Sequence, residues 1–130
     1  QDKEIINNHT QDNIGELFSQ VKTVYAKLKI LDKIWDKARV NIETGFVDYK
    51  PMIEYKDEIL KMLKESFLLG DDDLIEGISQ IILAIYSVKD KSDDKLISFK
   101  KEIYQLYEQY KDRDNIEITK TLELLKKINK

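Results

Sequence analysis

The spacing of apolar residues from Ile14 to Ile42 restricts this chain more than any other feature. Ile14, Leu17, Val21, Val24, Leu28, Leu31, Trp35, Ala38 and Ile42 follow one another at gaps of three and four without a break. Only a helix gathers such positions onto one face, because its turn returns to the same side every three to four residues. At a rise of 1.5 Å per residue the seam predicts a rod of about 45 Å. Phe18, Tyr25 and Ile34 widen it into the stripe of a bundle helix. Asn13 with Glu16 three residues on predicts a capping-box start, and Gly45 a left-handed stop.

The rest of the chain repeats this pattern. Asp48 offers a cap and Pro51 suits a first helical turn, where a missing N–H costs nothing. Met52, Ile53, Ile59, Leu60, Leu63 and Phe67 carry a second helix to Gly70. The run Asp71, Asp72, Asp73 reads as a turn and the next cap, with Glu76 at the capping-box position after Asp73. Leu74, Ile75, Ile78, Ile81, Ile82, Ile85 and Val88 make a third helix, apolar nearly all round and so predicted to be the most buried. After a charged loop from Lys89 to Asp94, a fourth helix carries Leu96, Phe99, Ile103, Leu106, Tyr107 and Tyr110. The phase slips between Asp112 and Asn115. Asp114 with Glu117 can cap a fifth helix through Ile118, Leu122, Leu125 and Ile128, yet no Gly or Pro marks the join. Helices four and five are therefore either two helices or one bent one. The expected fold is an all-α antiparallel helical bundle of four to five helices with a long first helix. It forms a single domain over residues 13–130, after a flexible polar lead-in at 1–12.

Composition narrows the chemistry. Four Gly and one Pro among 130 residues are too few for the turns of a β-sandwich or barrel. Charged residues make up 36% of the chain, but the net charge is only −3, which argues against non-specific nucleic-acid binding. No apolar run is long enough to span a membrane. The absence of cysteine removes disulfides, thiolate zinc sites and a cysteine nucleophile. A start at Gln1 without Met suggests a processed or trimmed product. The only histidine, His9, sits in the lead-in and reads as a solvated tail residue. No Glu is followed by His at di-iron spacing, the three aspartates lack the alternation of a calcium loop, and no phosphate loop or nucleophile elbow appears. The expectation is a binding protein, neither enzyme nor metalloprotein, with no cofactor. Tyr104, Tyr107 and Tyr110 could present an aromatic stripe to a ligand. The plainer reading is that their rings seal the bundle edge with hydroxyls in water. Trp35 reads as core.

Charge is the one informative asymmetry. Lys22, Lys27, Lys29, Lys33, Lys37 and Arg39 face only Asp32 and Asp36 along the first helix, and Lys120, Lys126, Lys127 and Lys130 outnumber Glu123 near the end. Should the last helix pack beside the first, these residues pool into a face that attracts an acidic partner. Otherwise they are ordinary solvated helix faces. Arg39 is one of two arginines, with Arg113, and its planar fork suits a carboxylate at an interface.

The Ile/Lys/Asp/Asn-rich texture, the lack of Cys and the capped helices resemble the helical surface lipoproteins of Borrelia spirochaetes. The segment from Tyr25 to Tyr49, YAKLKILDKIWDKARVNIETGFVDY, is similar to the first helix of the C-terminal domain of that group's fibronectin-binding lipoproteins. The resemblance extends from about Ile14 to the end. It implies a domain on the bacterial outer surface, attached through an N-terminal lipid anchor missing from this chain. It also implies non-covalent inhibition of the protease that starts the classical complement pathway, subcomponent r of the first component. The family's inhibitory surface uses an arginine late in the first long helix, matched by Arg39. It also uses a lysine of the last helix, for which Lys120 is the better match and Lys126 the alternative. Lys33 and Lys37 adjoin that arginine. A different class also fits the residues: an adhesin that recruits a host complement regulator such as factor H, a matrix protein or a glycosaminoglycan. A purely structural module is the third.

Overall fold

The computed structural model describes residues 21–38 and 49–128. Among them the chain is all-α, in the helical-bundle class that the periodicity predicts. The helices are α1 (Val24–Ala38), α2 (Lys50–Glu54), α3 (Lys56–Leu69), α4 (Asp72–Tyr86), α5 (Asp94–Tyr110) and α6 (Ile116–Ile128). A 3-10 turn, Lys111–Arg113, separates the last two. Tertiary contacts group the chain into two compact units, residues 1–62 and 63–130, divided inside α3. The lead-in 1–12 with His9, the Asn13 capping box, Arg39, Gly45 and Asp48 lie outside the described residues.

In the first unit, α1 is not part of an unbroken rod from Ile14. Val21 to Thr23 lie outside helical structure. Thr23 supplies the reason: its Oγ1 accepts the Ala26 N–H at 3.2 Å, and its carbonyl accepts the Lys27 N–H at 3.1 Å. A threonine at this position satisfies a donor that a helix start leaves open. The buried face is also turned from the predicted seam. Val24, Lys27, Ile30, Leu31 and Ile34 are buried, Leu28 and Trp35 only half-buried, and Tyr25 is 51% exposed. Lys27 can take an inner position because its stem is apolar and its ammonium reaches Glu58 at 3.9 Å.

The predicted second helix is divided. Pro51 sits in the first turn of α2 as expected, but Tyr49 at the N-cap makes no capping side-chain bond. At Tyr55 (φ −104°, ψ 22°) α2 ends and α3 begins. The backbone bonds Tyr55 N–H to Pro51 carbonyl (3.3 Å) and Ile59 N–H to Tyr55 carbonyl (3.0 Å) carry helical hydrogen bonding across the break. α2 packs on α1 and buries Met52 completely.

In the second unit the local signals are stronger. Gly70, with φ 67°, ends α3 in the left-handed conformation that glycine adopts without strain. The cap of α4 is Asp71 rather than Asp73, its carboxylate accepting the Leu74 N–H at 3.2 Å. α4 buries Leu74, Ile75, Ile78, Ser79, Ile81, Ile82, Ile85 and Tyr86, as its apolar content predicts. Asp93 caps α5 by accepting from Lys95 and Leu96, at 3.0 and 3.2 Å. α5 and α6 are separate helices. Asp114 takes the left-handed conformation (φ 56°), which Asp tolerates better than most residues, so the join needs no glycine. The cap of α6 is then Asn115, not Asp114: its Oδ1 accepts from Glu117 and Ile118, at 2.9 and 3.2 Å. Asn115 Nδ2 also donates to Asp72 at 2.8 Å, tying the join to the start of α4.

Helices α4, α5 and α6 each pack against the other two. At their centre the Tyr107 and Ser79 hydroxyls lie 2.6 Å apart, and the Thr121 side chain bonds the same phenol. Burial pushes the Tyr107 phenol well above its usual range, more than these two bonds lower it. Of the predicted tyrosine stripe, Tyr107 thus has its hydroxyl in the core instead of in water. Phe67 meets its ring edge-on at 5.0 Å.

Candidate binding surface

On α1 the lysines do not form one basic face. Lys27 turns inward to Glu58, whereas Lys29 is exposed and Lys33 half-buried, neither with an ion pair among the described residues. Lys37 lies in the last turn of α1, and Arg39 falls outside the described residues. Lys29, Lys33 and Lys37 are spaced at i, i+4 and i+8, which makes them one stripe of the helix. Asp32 and Asp36 run beside it on exposed positions. Partial burial and the Asp36 charge together raise the Asp32 carboxyl pKa, desolvation being the larger cause. Among the described side chains of α1, Lys29 and Lys33 therefore stand beside Asp32 and Asp36.

The two lysines of α6 differ. Lys120 is exposed and makes no ion pair among the described residues. Lys126 is exposed but sits 3.6 Å from Glu123, and its charge helps to lower the pKa of Glu108 on α5. The largest cause of that lowering is the bond from Lys111, whose ammonium lies 3.1 Å from the Glu108 carboxylate and whose own pKa is raised by it. Lys126 thus belongs to a local charge cluster on the α5–α6 surface, and Lys120 does not. α1 lies in the first unit and α6 in the second.

One surface feature escaped the sequence reading. Along a flank of α5, Ile97, Lys100, Lys101, Tyr104 and Gln105 line a groove of about 420 Å³ with Tyr86 at the end of α4. Its signal was present: these five positions follow i, i+3, i+4, i+7 and i+8, and Ile97 lies off the core stripe. The Lys100 ammonium donates to the Val88 carbonyl beyond the end of α4 and stands 5.9 Å from the Tyr86 ring centre. Desolvation lowers the Lys100 pKa, and the nearby Asp90 charge opposes that shift.

Among the described residues no group of three or more His, Cys, Asp or Glu is placed to hold a metal ion. No helix among them is long and apolar enough to cross a membrane. No protein-family model matches the chain, and neither does any curated protein or solved structure.

Proposed function

We propose that this chain is a binding domain of a lipid-anchored bacterial surface protein. In this reading it docks on the initiating protease of the classical complement pathway, subcomponent r of the first component, and blocks it without covalent chemistry. The partner comes from the resemblance of the segment from Tyr25 to Tyr49. The physical observation that carries the reading is that Lys29 and Lys33 lie one helical turn apart on α1 without an ion pair among the described residues, with Lys37 and Arg39 following them in the sequence. Such lysines steer an acidic partner, and an arginine supplies a planar fork for a carboxylate. On α6, Lys120 is the stronger contributor, because Lys126 is already engaged by Glu123.

Capture from human serum on the immobilised chain, with bound proteins identified by mass spectrometry, tests the partner. Recovery of the complement protease is expected. Recovery of factor H alone would instead assign the chain to regulator recruitment, and heparin retention lost at modest salt would assign it to glycosaminoglycan binding. Arg39→Ala should weaken protease binding by about 1–3 kcal/mol in a titration while leaving helicity and melting unchanged. Lys120→Ala should weaken it more than Lys126→Ala. Unaltered affinity in Arg39→Ala would remove the arginine from the site.

A further inference from the structure

The groove on α5 uses none of the residues proposed above. Its floor and walls are apolar: Tyr86 is buried, Tyr104 half-buried, and Ile97 is 45% exposed although an isoleucine gains from being covered. Its rim is cationic. Lys101 is exposed and makes no ion pair among the described residues. Lys100 is held in place through Val88 and the Tyr86 ring, which occupies one of its three N–H donors and leaves the others for an acceptor. No carboxylate lines the groove. Asp90 acts on Lys100 from outside the lining, and Glu108 is already bound by Lys111 and Tyr104. The lining on α5 spans Ile97 to Gln105, about 12 Å at the helical rise, which is the length of a short peptide segment. The volume lies within the usual range for a small-ligand site.

We infer that this groove docks an acidic peptide segment whose one large apolar side chain lies against Ile97, Tyr86 and Tyr104 while flanking carboxylates pair with Lys100 and Lys101. Charge complementarity favours this occupant over the two alternatives. A membrane or a nucleic acid calls for a broad basic plane, whereas the groove offers two cations on a chain of net charge −3. An apolar partner alone would leave Lys101 partly desolvated and unpaired.

The test is a fluorescence-anisotropy titration of the full chain with a short fluorescein-labelled peptide that has a single leucine flanked by glutamates. Saturable binding is expected, weakened about tenfold or more by Ile97→Asn and by Lys101→Glu and kept by Lys101→Arg. Both losing positions are exposed, so circular dichroism should show an intact fold. Replacing leucine by serine, or the glutamates by lysines, in the peptide should abolish the signal. Equal binding of the serine peptide, or affinity indifferent to both groove variants, would overturn the proposal. So would concentration-dependent self-association in sedimentation that Ile97→Asn removes, which would make the groove an interface between copies. Capture by phosphatidylserine vesicles that the same variants abolish, with no binding of the peptide, would overturn it in favour of a lipid surface.

Discussion

The two compact units reach helical structure by different means. In the second, every helix from α4 onward starts one residue after an Asp or Asn whose side chain accepts N–H bonds from its first turn: Asp71, Asp93 and Asn115. In the first, α1 has the weaker cap Thr23, and the five-residue α2 has no side-chain cap at all. So short a helix is unstable alone, and the complete burial of Met52 together with packing on α1 holds it. The second unit also has a polar element in its core, the hydroxyls of Ser79, Tyr107 and Thr121, one from each of its three mutually packed helices. Such a trio restricts how α4, α5 and α6 can slide past one another, because a shifted register would leave a buried hydroxyl unpaired. Where caps and a buried polar centre agree, the local chain and the tertiary fold call for the same structure. Where they are missing, packing alone decides.

The largest expected effect tests the packing of the second unit. Phe99→Ala should cost about 3–5 kcal/mol in urea denaturation, because the ring is fully buried and its removal leaves a cavity. A loss below about 1 kcal/mol would mean that α5 repacks freely and that the second unit is no better specified than the first. Next is the polar centre. Tyr107→Phe should cost about 1–2 kcal/mol, since Ser79 and Thr121 lose a shared partner within the core. Combined with Ser79→Ala the loss should be less than additive. A strictly additive pair would show that the hydroxyls act independently. The caps sharpen the contrast further. Asp93→Ala should remove about 1 kcal/mol, and Thr23→Ala a smaller amount, in thermal melts. Equal losses would erase the difference in capping between the units.

The smallest effect belongs to α1. Asp32→Asn should stabilise the protein by about 0.3 kcal/mol at neutral pH, because it relieves a like-charge i, i+4 pair with Asp36. The sign with pH follows from the raised carboxyl. Between the unfolded and folded pKa values the native state holds more protons than the unfolded one, so the wild type gains stability as pH falls through the folded value. The advantage of the variant should shrink over that same window, and melting curves across it would reveal the change. A constant advantage at all pH values would place its origin outside the carboxylate charge.

Much of the fold was legible because helices report themselves locally. The apolar period of α4 and its burial, the stop at Gly70 and the Pro51 start can all be read without knowing what packs against what. Misreadings came where neighbouring residues offered the same chemistry. Asp71 and Asp73 can each cap a helix, as can Asp114 and Asn115, and only the backbone angles select between them. Legibility fell further at the surface. Composition alone did not distinguish Lys27 from Lys29 or Lys33, although it is turned to Glu58. Glu123 lies three residues from both Lys120 and Lys126, so spacing did not select the one it engages, Lys126.

What the sequence determined by itself is the helical class and a few of the helix ends, such as the stop at Gly70, because hydrogen bonds within four residues and a 3.6-residue period depend on near neighbours alone. Tertiary structure decided which face of α1 is buried, which tyrosine hydroxyl leaves water, and that Ile97 shares a groove with Tyr86 from another helix. These depend on residues distant in sequence: Ser79 and Tyr107 are 28 positions apart. A local pattern limits the faces a helix can present, and the partner helix selects among them.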